Sequence, residues 1–132
     1  MIGELLGESK GKRIVRRVLG INPPTVEVSF EDSGKMLGFA TTGMGTYTSV
    51  VSADGSAVGE GHGIISTQDG DAVVWKGPGK GKILSGGAVS YRGILYYQTT
   101  SQKLAKSNAA PGVFEYEVDA DGTTHSKVWE WK

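Results

Sequence analysis

The stretch VGEGHGIISTQDGDAVVWKGPGKGK, from Val58 to Lys82, places glycine at every second position on both sides of an Asp-Gly turn. Glycine in a strand costs backbone entropy and packs nothing, so the alternating set Gly59, Gly61, Gly63, Gly77, Gly79 and Gly81 needs a physical reason. A phosphate-cradling loop fails on spacing. A P-loop needs Gly-Lys followed by Ser or Thr, whereas Gly79-Lys80 is followed by Gly81, and Gly81-Lys82 by Ile83. The dinucleotide pattern G-x-G-x-x-G fails at its third glycine, where Ser66 and Leu84 stand, and no helical pattern follows. A sheet explains them better. Strands that bend tightly to close a small barrel, or that let an aromatic ring lie on the backbone, use glycine where a Cβ would collide.

Working outward, four turn signals punctuate the chain: EDSGK at Glu31, ADGS at Ala53, QDGD at Gln68 and ADGT at Ala120. Each lies between segments that alternate with period two or are rich in β-branched and aromatic residues, the signature of hairpins. The pattern predicts strands over 3–18, 25–31, 35–42, 45–53, 56–67, 71–84, 87–100, 112–120 and 123–131. A bend near Gly7 or Gly11 would divide the first, and the NPP at Asn22 makes a rigid connection after it. Only TSQKLAKSNAAPG, from Thr100 to Gly112, reads as helical. It predicts one short helical turn near residues 101–108, with Leu104 pointing inward and Pro111-Gly112 as the stop. The expected fold is all-β, a closed antiparallel β-barrel of about eight strands in meander order, spanning 1–132 as a single domain.

Composition is consistent with that. A chain of 132 residues with 38% apolar and 21% charged residues can bury a core despite its 21 glycines. It has no cysteine, which excludes a disulfide framework and thiolate metal sites. The stretch MIGELLGESKGKRIVRR has no apolar run of signal-peptide length, so the expectation is a cytoplasmic protein with no membrane partner. Net charge is zero. The basic run Lys10, Lys12, Arg13, Arg16 and Arg17 has no aromatic residue interleaved, which argues against nucleic acid. Acids concentrate in residues 113–132, so the first and last strands are expected side by side, closing the barrel.

Register decides which residues see the lumen. If QDGD closes as a two- or four-residue loop, Ile64 faces Trp75, His62 faces Gly77 and Glu60 faces Gly79; ADGS then pairs Ser49 with Glu60 and Tyr47 with His62. A three-residue loop would instead place Trp75 over Gly63 and send His62 outward. The first register, favoured because Lys76, Lys80 and Lys82 then face solvent, gathers Glu60 and His62 beside Tyr47 and Trp75. That pair is either a satisfied polar pair at the barrel rim or an acid, base or ligand anchor, with His62 and Glu60 as the catalytic candidates. In the last hairpin the same reasoning puts Phe114, Tyr116, Val118, His125, Lys127, Trp129 and Trp131 on one face, as core or as a ligand-stacking wall. Of the adjacent Tyr96 and Tyr97, one must be inside. Two histidines, no cysteine, no H-E-x-x-H and no G-x-S-x-G leave no metal site, no cofactor and no nucleophile elbow to expect.

The glycine-alternating hairpin, together with the ending QKLAKSNAAPGVFEYEVDADGTTHSKVWEWK, resembles the allene oxide cyclase-type barrels, a superfamily that includes bacterial domains of unknown function. The resemblance is one of layout over residues 25–132. It implies an eight-stranded barrel with a mostly apolar lumen, a homo-oligomer, and relatives that include a cyclase acting on a fatty-acid epoxide. No catalytic signature carries over. Three functions are open: a barrel binding a small apolar or aromatic ligand, with Tyr47, Trp75, Tyr116 and Trp129 as walls; an isomerase or cyclase using the same cavity; and a packed structural module without a ligand.

Overall fold

The computed structural model describes residues 2–132, and in it three Asp-Gly pairs build the same turn. The Gly55, Gly70 and Gly122 amides donate to the carbonyls of Ser52, Thr67 and Asp119, respectively. These glycines have φ of 86°, 88° and 90°, the left-handed conformation that a Cβ disfavours. The amides of Ser52, Thr67 and Asp119 in turn donate to the carbonyls of Ser56, Asp71 and Thr123. Each loop therefore holds three residues, 53–55, 68–70 and 120–122, a preferred hairpin connection when its last residue is left-handed.

This count corrects the expected register by one residue in all three hairpins. Trp75 pairs with Gly63 rather than Ile64, Tyr47 with Gly61 rather than His62, and Tyr116 with Ser126 rather than Lys127. Side chains alternate along a strand, so a shift of one sends each partner to the opposite face. His62, Glu60, His125, Lys127 and Trp129 lie on the outer face, while Trp75 lies over Gly63, with its ring where a Gly63 Cβ would stand.

The strands are β1 (Ile2–Ile21), β2 (Pro24–Met36), β3 (Phe39–Val51), β4 (Ser56–Thr67), β5 (Ala72–Ile83), β6 (Val89–Gln98), β7 (Gly112–Val118) and β8 (Thr123–Trp131). They pair antiparallel in chain order, and β8 returns to β1 to close the barrel. The eight-stranded meander is thus the observed fold, with the first and last strands adjacent. The C-terminal acids Glu115 and Glu117 nevertheless make their ion pairs with Arg92 of β6, at 3.7 and 2.8 Å. Beyond the last β8 pair at Lys12, β1 continues with β2 as a two-stranded ribbon that exposes Ile14, Val18, Leu19 and Ile21.

EDSGK is not a turn. The segments expected over 25–31, 35–42 and 45–53 are two strands, β2 and β3, joined at Leu37 and Gly38, with φ of 51° and 84°. Gly34 serves close strand approach instead, because a Cβ there would overlap the Glu8 carbonyl oxygen of β1. The helical segment forms a 3-10 turn at Ala105–Asn108, and the Leu104 preceding it is fully buried against Met36 and Val73. No helix among the described residues is long and apolar enough to cross a membrane.

The inward glycines do two jobs. At Gly77 and Gly81, an added Cβ would overlap the backbone carbonyl oxygens of Ile94 and Ser90, so the bare backbone is what lets β5 curve against β6. At Gly45 and Gly63 the Cβ would meet aromatic rings, lying 2.7 Å from Phe30 Cζ and 2.5 Å from Trp75 Cε2. Gly20, by contrast, has nothing within 4 Å. Gly81→Ala should therefore destabilise by about 2–3 kcal/mol, while Gly20→Ala is neutral or slightly stabilising. Urea-unfolding midpoints of the two variants check this; equal effects would show that close strand approach does not explain the glycines.

Candidate functional site

Alternation along β2 turns Val28, Phe30, Asp32 and Met36 toward the interior, and the neighbouring strands add Tyr47, Trp75, Tyr91, Phe114 and Tyr116. The rings contact one another: Phe30 and Tyr116 with centroids 5.4 Å apart, Tyr47 edge-on to Tyr116 at 5.7 Å, and Phe30 stacked with Trp75 at 6.3 Å. Such pairs contribute roughly 0.5–1.5 kcal/mol each beyond area burial. Toward the 85–87 turn the interior is filled by Ala57, Val89 and Val118, with the Arg13 guanidinium donating to the Gly87 carbonyl at 3.0 Å. At the other end Met36, Val73 and Leu104 form the plug. Between these layers lies a cavity of about 120 Å³.

Its polar groups are few. The Ser49 and Tyr91 hydroxyls bond to each other at 2.6 Å. Ser9 Oγ donates to Asp32 Oδ2 at 3.0 Å, and Asp32 has no basic partner among the described residues. Burial pushes the Asp32 carboxyl above its ordinary value, with the Ser9 hydrogen bond pulling partly back. Burial likewise raises the phenols: Tyr47 to about 12, and Tyr97 and Tyr116 upward, with the Asp32 charge adding to both of the latter. They are neutral donors at any physiological pH. Tyr116 is only 8% exposed, and its hydroxyl makes no hydrogen bond within the protein. The Tyr47 hydroxyl is its neighbour and influences its ionisation through a hydrogen-bonding as well as a charge interaction, although the pair falls short of full hydrogen-bond geometry.

Of the residues singled out in the sequence, Tyr47, Trp75 and Tyr116 line the cavity together, and Glu60 borders it while remaining exposed. Trp129 does not join them: it sits outside, paired with Val113 and Leu5, because the ADGT loop has three residues. Glu60 and His62 are exposed on the outer face, Glu60 between Thr48 and Pro78 and His62 between Thr46 and Lys76. Tyr97 is the inward member of its pair and Tyr96 is 53% exposed. Asp32, the one carboxylate side chain turned into the lumen among the described residues, escaped notice because EDSGK imitates a turn. The signal was the alternation Val28, Phe30, Asp32, Gly34, Met36, which places it on the apolar parity of its strand.

Fold and site together define a closed eight-stranded barrel with an aromatic lumen holding one carboxylate. No protein-family model matches the chain, and no curated protein matches it in sequence. Solved structures do. A protein of unknown function from Clostridium acetobutylicum superposes with a TM-score of 0.83 at 14% identity, covering 98% of both chains. A β-barrel-like protein from Acinetobacter baumannii gives 0.78 at 12%, covering 100% of this chain and 96% of its own. An enzyme from Penicillium herquei gives 0.64 at 16%, covering 96% of this chain and 92% of its own. At these identities the likeness is one of fold.

The Asp32 carboxyl has a consequence for stability. Because its folded pKa is raised above the ordinary 3.8, its contribution to stability is fully present below that value and is lost as pH rises through the raised one. Ser9, Tyr97 and Tyr116 face it, and none of them titrates in that window. Asp32→Asn keeps the shape and the acceptor for Ser9. Its thermal midpoint should exceed that of the natural protein by a few degrees at pH 7, and the two should converge near pH 3. A midpoint lowered at pH 7 but not at pH 3 would mean that the ionised carboxylate is stabilising.

Proposed function

We propose that the lumen binds one small apolar or aromatic molecule. The observation that carries this reading is the Tyr116 hydroxyl, a buried donor without a protein partner in the wall of a ring-lined cavity. Leaving such a group unsatisfied costs about 1–3 kcal/mol, and a ligand that accepts its hydrogen bond recovers that cost. The volume sets the size. A cavity of ~150 Å³ takes one benzene-sized molecule, so the about 120 Å³ here suits a ligand of roughly five or six non-hydrogen atoms. Tyr47 and Trp75 supply apolar wall, and Tyr116 supplies direction.

A second reading is an isomerase or cyclase, in line with the resemblance to the allene oxide cyclase-type barrels. Its support is Asp32, a half-buried carboxyl in a mostly apolar cavity, a setting in which an acid or base is tuned. The fold neighbour from Penicillium herquei described as an enzyme is compatible with it. In this reading Asp32 takes the role first given to His62 and Glu60, since those side chains face solvent.

Titrating benzene and phenol while following the Trp75 indole resonance tests the binding reading. Saturable shifts with Kd between roughly 10 µM and 10 mM are expected for ligands of this size. Tyr116→Phe should weaken phenol about fivefold while leaving benzene unchanged. Linear, non-saturating shifts with both compounds would sink the proposal.

A further inference from the structure

The lumen is asymmetric in charge. Asp32 stands two residues along β2 from Phe30 on the same face, about 7 Å in strand rise. The Cβ of a residue replacing Gly43 would lie 2.6 Å from Asp32 Oδ1, and the Cβ at Gly45, one inward step along β3, would touch both Phe30 and Trp75. The carboxylate is therefore seated one layer above the ring cluster, over a glycine that leaves it room. Ser9 gives it one hydrogen bond, and no cationic side chain among the described residues gives it a counter-charge. Lys35 borders the same cavity without pairing with Asp32, and Arg13 of the neighbouring strand donates to the Gly87 carbonyl at the end of the barrel.

Resting on the binding reading above, we infer that the lumen is built for a small protonated amine, with Asp32 as its counter-ion and the rings of Phe30, Trp75 and Tyr116 as its wall. A carboxylate facing an aromatic enclosure is selective in a way that neither part is alone. The rings favour an organic cation over a hydrated metal ion, because their negative faces attract charge while their apolar surface desolvates alkyl groups. The carboxylate fixes where the charge sits and rejects anions. A neutral ligand leaves the desolvation cost of Asp32 in place, whereas an ammonium relieves it by supplying the missing partner. Tyr116 can then donate to an oxygen elsewhere on the same molecule. The outer groove lined by β1, β2, β7 and β8 offers no rival, since Lys10, Lys35 and Lys127 stand there among Glu8, Glu115 and Glu117, with both signs mixed.

Piperidine, protonated at pH 7, and tetrahydropyran, its neutral ring isostere, separate charge from shape. Both are titrated into the natural protein and into Asp32→Asn, reading the Trp75 indole resonance, with Asp32→Ser as a second variant should the first not fold. The expected result is piperidinium binding at least tenfold tighter than tetrahydropyran in the natural protein, with that advantage lost in the variant. Equal affinities, or an advantage retained without the carboxylate, overturn the amine inference and leave the lumen as a neutral binding site. Absence of saturable binding for both rings, with benzene and phenol also inert, overturns the binding reading itself.

Discussion

Where Gly34 of β2 passes Glu8 of β1, and Gly81 of β5 passes Ser90 of β6, the strands lie so close that an inward Cβ would overlap the neighbouring carbonyl oxygen. Closing eight strands into a narrow barrel depends on that bare backbone, because curvature brings the inner faces of adjacent strands together. The glycines surrender packing and chain entropy in return. The aromatic side chains offset this loss: Trp75 lies where Gly63 has no Cβ, and the Phe114 ring lies over Gly93. Few large rings spread over a glycine floor fill space unevenly, and the cavity is the part they do not reach.

The meander and its closure were legible from turn spacing and period-two alternation, which depend on local chemistry. Parity was not. Asp-Gly suits a two-residue turn with both residues left-handed, and equally a three-residue turn in which only the glycine is left-handed. The two differ by one residue, and one residue decides whether His62 or Gly63 faces inward. Gly55, Gly70 and Gly122 all took the second form, so the same displacement recurs in three hairpins and moves Glu60, His62 and Trp129 outward together. Leu104 was readable because its surroundings are a short turn whose single large apolar side chain has only one way to be buried.

Asp32 illustrates a different obstacle. Asp, Ser and Gly in sequence imitate a turn because each favours turns in isolation, yet β2 runs straight through them. What overrides local preference is pairing on both sides: Gly34 lies opposite Ser9 and Thr41, and Asp32 opposite Gly11 and Gly43. A residue type that looks wrong for its position, a carboxylate on the apolar parity of a central strand, is where sequence logic is expected to fail at functional sites.

Stability alone does not account for the interior. Polar groups buried for structural reasons satisfy one another, as the Ser49 and Tyr91 hydroxyls do here at 2.6 Å. Asp32 and Tyr116 do the opposite: one keeps a carboxylate without a cation, the other a hydroxyl without a partner, and both line the same space. Replacing them with an aliphatic residue and phenylalanine would remove two desolvation penalties at little cost in shape, a change that selection for a packed scaffold would favour. A structural module therefore explains the glycines, the plugs and the rings but leaves these two side chains as defects. The proposed binding reading gives both a role, since they line the space a bound molecule would occupy, whereas the likewise unpaired hydroxyls of Thr67 and Ser101 lie outside that lining.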